Sequence, residues 1–177
     1  MKFVFAAAVV LAVLATACTP KPETKVSEAI QSEITGDAAT AEFTNSLDKL
    51  YGKDNSKFKT SLASFYKDRL KVETSDVKVD DAKAEAAVSV SVPNRKDMAG
   101  LVFMTALMDQ KMLREMTLDE LVQKIGKDAK PPITSSRDIK DDTIKQTVSL
   151  IREGTDQWKI APDSKKKLAA AIAGNTK

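Results

Sequence analysis

One cysteine, Cys18, and no histidine set the chemistry open to this chain of 177 residues. Without imidazole there is no Ser-His-Asp or Cys-His nucleophile pair, no imidazole general base and almost no route to a zinc site. Catalysis would have to rest on Asp, Glu, Lys, Tyr or backbone groups. The six glycines form no phosphate-cradling loop, dinucleotide fingerprint or nucleophile elbow. Asp80-Asp81 and Asp141-Asp142 have the residue type for acid–base or metal work. Both pairs fall at predicted strand ends, where aspartate makes turns by bonding its own backbone, and turn formation is the reading adopted. Tyr51, Tyr66 and Trp158 could line a pocket; the default for each is core packing with the polar tip satisfied. No catalytic residue, metal ligand or cofactor is assigned.

The methionines are unevenly placed. All except Met1 lie between positions 98 and 116, and Met104, Met108, Met112 and Met116 recur at i, i+4. Methionine is adaptable and is used on binding surfaces as well as in cores. With Leu101, Val102, Phe103 and Leu107 the apolar face of a helix here is wider than the roughly 100° stripe that covering one sheet requires. One reading makes this helix a lid over the open end of a sheet, with the stripe in the core. The other makes Leu101, Met104, Met108 and Met112 a ligand or partner surface, with one flank only partly buried. Lys165-Lys166-Lys167 could meet anionic headgroups, but a solvated helix face is the reading adopted. A formal net charge of +3 gives no electrostatic footprint for nucleic acid.

These candidates depend on where the chain works, and the N-terminus addresses that. Lys2 precedes an apolar run from Phe3 to Leu14, then the small residues Ala15-Thr16-Ala17. The run suits an export leader and falls short of the about 20 residues a spanning helix needs. Leu14-Ala15-Thr16-Ala17-Cys18 resembles the lipid-attachment signal of bacterial lipoproteins, with Ala15 where leucine is usual. The resemblance implies cleavage before Cys18 and a diacylglyceryl, acylated (palmitate-type) cysteine as membrane anchor. Several acyl chains hold stably where one holds only marginally. It also implies a cell-envelope location, at the outer membrane facing the periplasm if the cell has two membranes, because Thr19 rather than aspartate follows. The alternative is ordinary cleavage that leaves a free thiol. With one cysteine no internal disulfide can form. Thr19 to Lys25, with two prolines and no large apolar residue, reads as an extended tether. The expected organisation is a leader over 1–17, a lipidated tether over 18–25 and a single domain over 26–177.

Within that domain the hydrophobic period changes from helical to alternating and back. Val26, Ala29, Ile30 and Ile34 predict a helix ending at Gly36. Phe43, Leu47, Leu50 and Tyr51 predict a second, capped by Asp37 or Thr40 and stopped at Gly52. Phe58, Leu62, Phe65 and Tyr66 predict a third, capped by Ser56. Val72 to Val79 reads as a strand. From Ala82 to Val92 every second residue is apolar, the clearest strand signal in the chain. Asn94 opens the methionine-rich helix, expected to run from Met98 to Leu113. Thr117 and Glu120 form a capping box for the next helix, with Met116 and Leu121 spaced as a staple. Pro131-Pro132 ends it, and Ile133 to Ile139 reads as a further strand. Ile144 to Ile151 and Trp158 to Ile160 flank a turn, and a last helix after Pro162 is capped by Asp163 or Ser164.

Helices, a hairpin, a helical insertion and a closing hairpin make an α+β layout. Val148-Ser149-Leu150-Ile151-Arg152-Glu153-Gly154-Thr155-Asp156-Gln157-Trp158-Lys159-Ile160 is similar to the closing hairpin of bacterial lipoproteins in the nuclear-transport-factor-2-like superfamily. The resemblance implies N-terminal helices packed on a curved antiparallel sheet, and leaves activity open because that fold hosts enzymes and non-enzymes. The preferred reading is a non-catalytic, membrane-anchored lipoprotein that binds a hydrophobic small molecule or an envelope protein. The alternative is an isomerase- or dehydratase-like enzyme using a buried carboxylate and a tyrosine.

Overall fold

The computed structural model describes residues 20–53, 56–126, 134–155 and 157–173. The leader, Cys18 and Pro131-Pro132 lie outside the described residues. In order, the elements are α1 (Pro22–Thr35), α2 (Asp37–Tyr51), α3 (Lys57–Arg69), β1 (Lys71–Asp80), β2 (Lys83–Pro93), α4 (Arg95–Ala106), α5 (Gln110–Glu115), α6 (Leu118–Ile125), β3 (Asp141–Glu153), β4 (Gln157–Ile160) and α7 (Pro162–Ala173). The fold is α+β, with the helices before the sheet and a helical insertion between its two hairpins.

The sheet is an open antiparallel meander in the order β1-β2-β3-β4. Alternation along β2 sets its two faces. Ala84, Ala86, Val88, Val90 and Val92 are buried, while Glu85, Ala87, Ser89 and Ser91 are exposed or half-buried. A period of two places successive side chains on opposite faces. The buried face carries Ile144, Val148 and Leu150 of β3 and Trp158 and Ile160 of β4, and is covered by Val26, Ile30 and Ile34 of α1 and Leu168 and Ala171 of α7. Glu33 ties this cover down, accepting a 2.7 Å hydrogen bond from the Ile160 amide and pairing with Lys165 at 3.3 Å. The β1–β2 turn carries Asp81 at φ 44°, as expected of Asp80-Asp81. Asp76, at φ 50°, sits where the β1 register shifts between Ser75 and Lys78, a bulge that aspartate tolerates.

A second core lies among the helices, built from Leu47, Phe58, Leu62, Met98, Leu113, Leu118, Leu121, Val122 and Ile139. The Thr117–Glu120 capping box forms, with the Thr117 amide donating to Glu120 at 2.6 Å. Ser56 caps α3 by accepting from the Lys59 amide, and Asn94 caps α4 through the Lys96 and Asp97 amides.

Several expectations need correction. α1 begins at Pro22, so Pro22–Lys25 are helical and the extended segment before the domain is shorter than expected. Proline suits a helix's first position because its missing N–H would have no partner there. Gly36 holds the N-cap position of α2, so Asp37 and Thr40 fall within the helix rather than at its cap position. Residues 134–139 are not a strand, because side chains take their backbone groups. Asp138 accepts from the Thr134 and Ser135 amides, Asp119 from the Ser136 amide, and Arg69 donates to the carbonyls of Ser136, Arg137 and Ile139. A 3₁₀ turn, Ser136–Asp138, results. Asp141 and Asp142 make no turn: they open β3, pairing with Arg69 at 2.9 Å and accepting from the Asn94 amide group at 2.9 Å. Ser164 caps nothing; it sits within α7 and its hydroxyl accepts from the Ser149 amide.

Candidate functional site

The methionine-rich segment is two helices. After α4 the Leu107 amide turns back onto the Met104 and Thr105 carbonyls, and Asp109 caps α5 by accepting from the Lys111 and Met112 amides. Buried Thr105 bonds the Val102 carbonyl at 2.7 Å and the Tyr51 hydroxyl at 3.2 Å, anchoring the end of α4 to α2. The i, i+4 stripe is therefore interrupted after Met104, with Met108 in the break before α5, and the four candidates part company. Leu101 and Met104 share a pocket of about 300 Å³ between α4 and α6, with Val122, Ile125 and Ile139. Met108 packs half-buried on the second core. Met112 is exposed, its sulfur 3.2 Å from the Lys124 ammonium. One flank is open, as expected: Phe103 and Leu107 are 65% and 67% exposed.

A larger pocket lies elsewhere. About 600 Å³ opens at the seam between the two cores, bounded by α1, α2, α3, the end of β2 and the end of α7. Ile34, Val92, Leu70 and Ile172 face it from the sheet side, and Phe43, Leu47, Ala63 and Tyr66 from the helical side. Thr35, Thr44, Thr60, Ser64, Lys59 and Lys67 are the polar lining, and no Asp or Glu is among the described residues lining it. The size and apolar character are those of small-molecule sites.

Two groups set its electrostatics. Lys59 is 6% exposed, and its ammonium is 2.5 Å from Asp48 and 3.3 Å from the Gly52 carbonyl at the end of α2. Its charge is spent inside the protein, as a buried charge requires. Burial pushes the Tyr66 phenol above its usual range, and nearby Tyr51 adds to the rise. Tyr66 stays protonated at neutral pH and has no phenolate character to act as a base. Its ring packs tilted against Phe43, with centroids 4.9 Å apart, and edge-on to Phe65 at 6.1 Å. Trp158 is core, beneath α1 and α7. The Lys165–Lys167 run lies exposed on α7, with Lys165 paired to Glu33.

The sequence reading missed this pocket. The available signal was helical spacing: Lys59, Ala63, Tyr66 and Leu70 form one stripe of α3, beside the deeper stripe of Phe58, Leu62 and Phe65. A lysine on an inward stripe marks a buried partner or a cavity. Among the described residues, no group of three or more Cys, Asp or Glu stands together as a metal site, and no helix is long and apolar enough to cross a membrane. No protein-family model, curated protein or solved structure matches the chain.

Proposed function

We propose that this chain is a non-catalytic lipoprotein of the bacterial envelope, anchored through Cys18, that holds a hydrophobic small molecule in the pocket between its two cores. The observation that carries the reading is the pocket itself: an apolar space of about 600 Å³ with no carboxylate among the described residues that line it. The isomerase-like alternative needs a buried carboxylate beside a tyrosine, and among the described residues Tyr66 has only Lys59, Lys67 and hydroxyl groups as polar company on the pocket wall. The anchor reading rests on Cys18 following Ala15-Thr16-Ala17. With α1 starting at Pro22, a lipidated Cys18 would leave only about four residues of spacer, roughly 13 Å when extended, holding the pocket close to the bilayer. The nuclear-transport-factor-2-like resemblance rests on the residues of the closing hairpin, Val148 to Ile160. A second reading, a protein partner on α4, is favoured by one observation, the protruding Phe103 and Leu107.

The test is thermal. A ligand at 100 times its dissociation constant stabilises its protein by about 2.7 kcal/mol. Envelope lipid extract should raise the melting temperature of the intact protein, and Ala63→Trp, which puts an indole into the pocket, should abolish the rise while the variant remains folded. An extract effect that survives Ala63→Trp but is lost in Phe103→Ser/Leu107→Ser would move the site to α4. No effect on the wild type would remove the pocket reading. Cys18→Ser should stop processing and release the protein from membranes; unchanged cleavage and fractionation would refute the anchor.

A further inference from the structure

The wall that α3 presents to the pocket has two chemistries side by side. Ala63, Tyr66 and Leu70 form the apolar stripe, while Thr60, Ser64 and Lys67, spaced i, i+4 and i+7, run along its solvent-facing edge. Residues so spaced are neighbours on one helix face. Thr60, Ser64 and Lys67 are all exposed, and among the described residues none of their side chains has a hydrogen-bond or ion-pair partner. This contrasts with Lys59, about two turns before Lys67, whose charge Asp48 neutralises. The pocket therefore keeps one uncompensated positive charge at its rim, two idle hydroxyls beside it and an apolar interior behind them. The C-terminal end of a helix carries a partial negative charge, but α3 answers it with two full positive charges, Lys67 and Arg69, in its last turn.

We infer that the ligand is an anionic single-chain amphiphile, a long-chain carboxylate whose tail fills the space between Ala63, Tyr66 and Leu70 and whose head lies against Lys67 and Ser64. The inference rests on the pocket reading above and adds the charge of the head. An ion pair to an exposed lysine, helped by a hydroxyl donor, favours the carboxylate over a neutral head by about threefold to tenfold. The preference is screened by salt.

The experiment is displacement of a fluorescent fatty-acid probe from the intact purified protein by palmitate, hexadecanol and methyl palmitate. It is run on the wild type, Lys67→Gln, Lys67→Glu and Ala63→Trp, with the melting temperature of each recorded. Palmitate should displace the probe at about threefold to tenfold lower concentration than hexadecanol. The gap should close in Lys67→Gln and at high salt, and reverse in Lys67→Glu. Equal displacement by palmitate and hexadecanol in the wild type, with loss of both in Ala63→Trp, would leave the pocket standing and overturn the anionic head. Failure of all three competitors and of probe binding would overturn the pocket reading, and this inference with it.

Discussion

The Lys59–Asp48 pair gives the most demanding test of the helical half. Lys59 is 6% exposed as a residue and the Asp48 side chain 26%, with 2.5 Å between ammonium and carboxylate. Asp48→Ala leaves the ammonium buried with only the Gly52 carbonyl at 3.3 Å. Removing one partner of a buried pair costs about 3–5 kcal/mol. The partial exposure of Asp48 and the surviving carbonyl place this case at the lower end, about 3 kcal/mol. For a domain of this size each kcal/mol moves the melting temperature by about 2–4 °C, so the expected fall is roughly 6–12 °C. Replacing both partners, Lys59→Met with Asp48→Leu, trades the pair for apolar packing and should land within about 1 kcal/mol of the wild type. The assay is urea unfolding of Asp48→Ala and of Lys59→Met, Asp48→Leu and their double variant, the last three forming the cycle that isolates the coupling. If Asp48→Ala costs less than about 1 kcal/mol, the lysine finds water in the folded state and the inward stripe on α3 is wrong.

Two further outcomes follow from the fold. Val90→Asp puts an unpaired carboxylate in the sheet core and should cost at least about 4 kcal/mol, whereas Ser89→Asp, on the open face between Glu73 and Lys145 in register, should stay within about 0.5 kcal/mol; similar urea midpoints for the two would show that the alternation does not mark burial. The Ser136 amide and side chain, with Ser135 and nearby Arg137, hold the Asp119 carboxyl below its usual value of 3.8. Because the folded state binds this proton less readily, the contribution is full above that value and is lost as pH falls below it; unfolding midpoints should drop on acidification below about pH 4, and Asp119→Asn should flatten part of the drop. Glu120 and Asp138 are likewise held below their usual values, by the amides of Thr117 and of Thr134 and Ser135, and act in the same direction on acidification. A pH profile unchanged by Asp119→Asn would detach α6 from the 134–139 loop.

Local signals were legible where they depend on neighbours in sequence. The Thr117–Glu120 box, the Ser56 and Asn94 caps and the Asp80-Asp81 turn appear as read, and the alternation read from Ala82 holds from Ala84 to Val92, Ala82 itself being exposed in the β1–β2 turn. What escaped depends on groups far apart in the chain. Ile139 looked like the end of a strand, yet Arg69, 70 positions earlier, takes its carbonyl. The helix break at Leu107 could not be seen in an unbroken apolar spacing; it follows from Asp109 capping α5 and from Thr105 bonding Tyr51 across 54 positions. The methionine positions were correctly read as having an open flank, but they do not converge, and only Leu101 and Met104 share a pocket. The larger pocket is made by packing two cores side by side: the α3 stripe of Lys59, Ala63, Tyr66 and Leu70 marks one wall, and the facing wall comes from α1, β2 and α7, distant in sequence.

The central claim is that the space between the two cores holds an apolar ligand in the living cell. Native mass spectrometry of the intact protein released from its own envelope, compared with Ala63→Trp prepared in the same way, tests it most directly. The account predicts a retained amphiphile of defined mass on the wild type and its absence from the variant. A wild type that carries nothing, or an adduct that persists in Ala63→Trp, would contradict it.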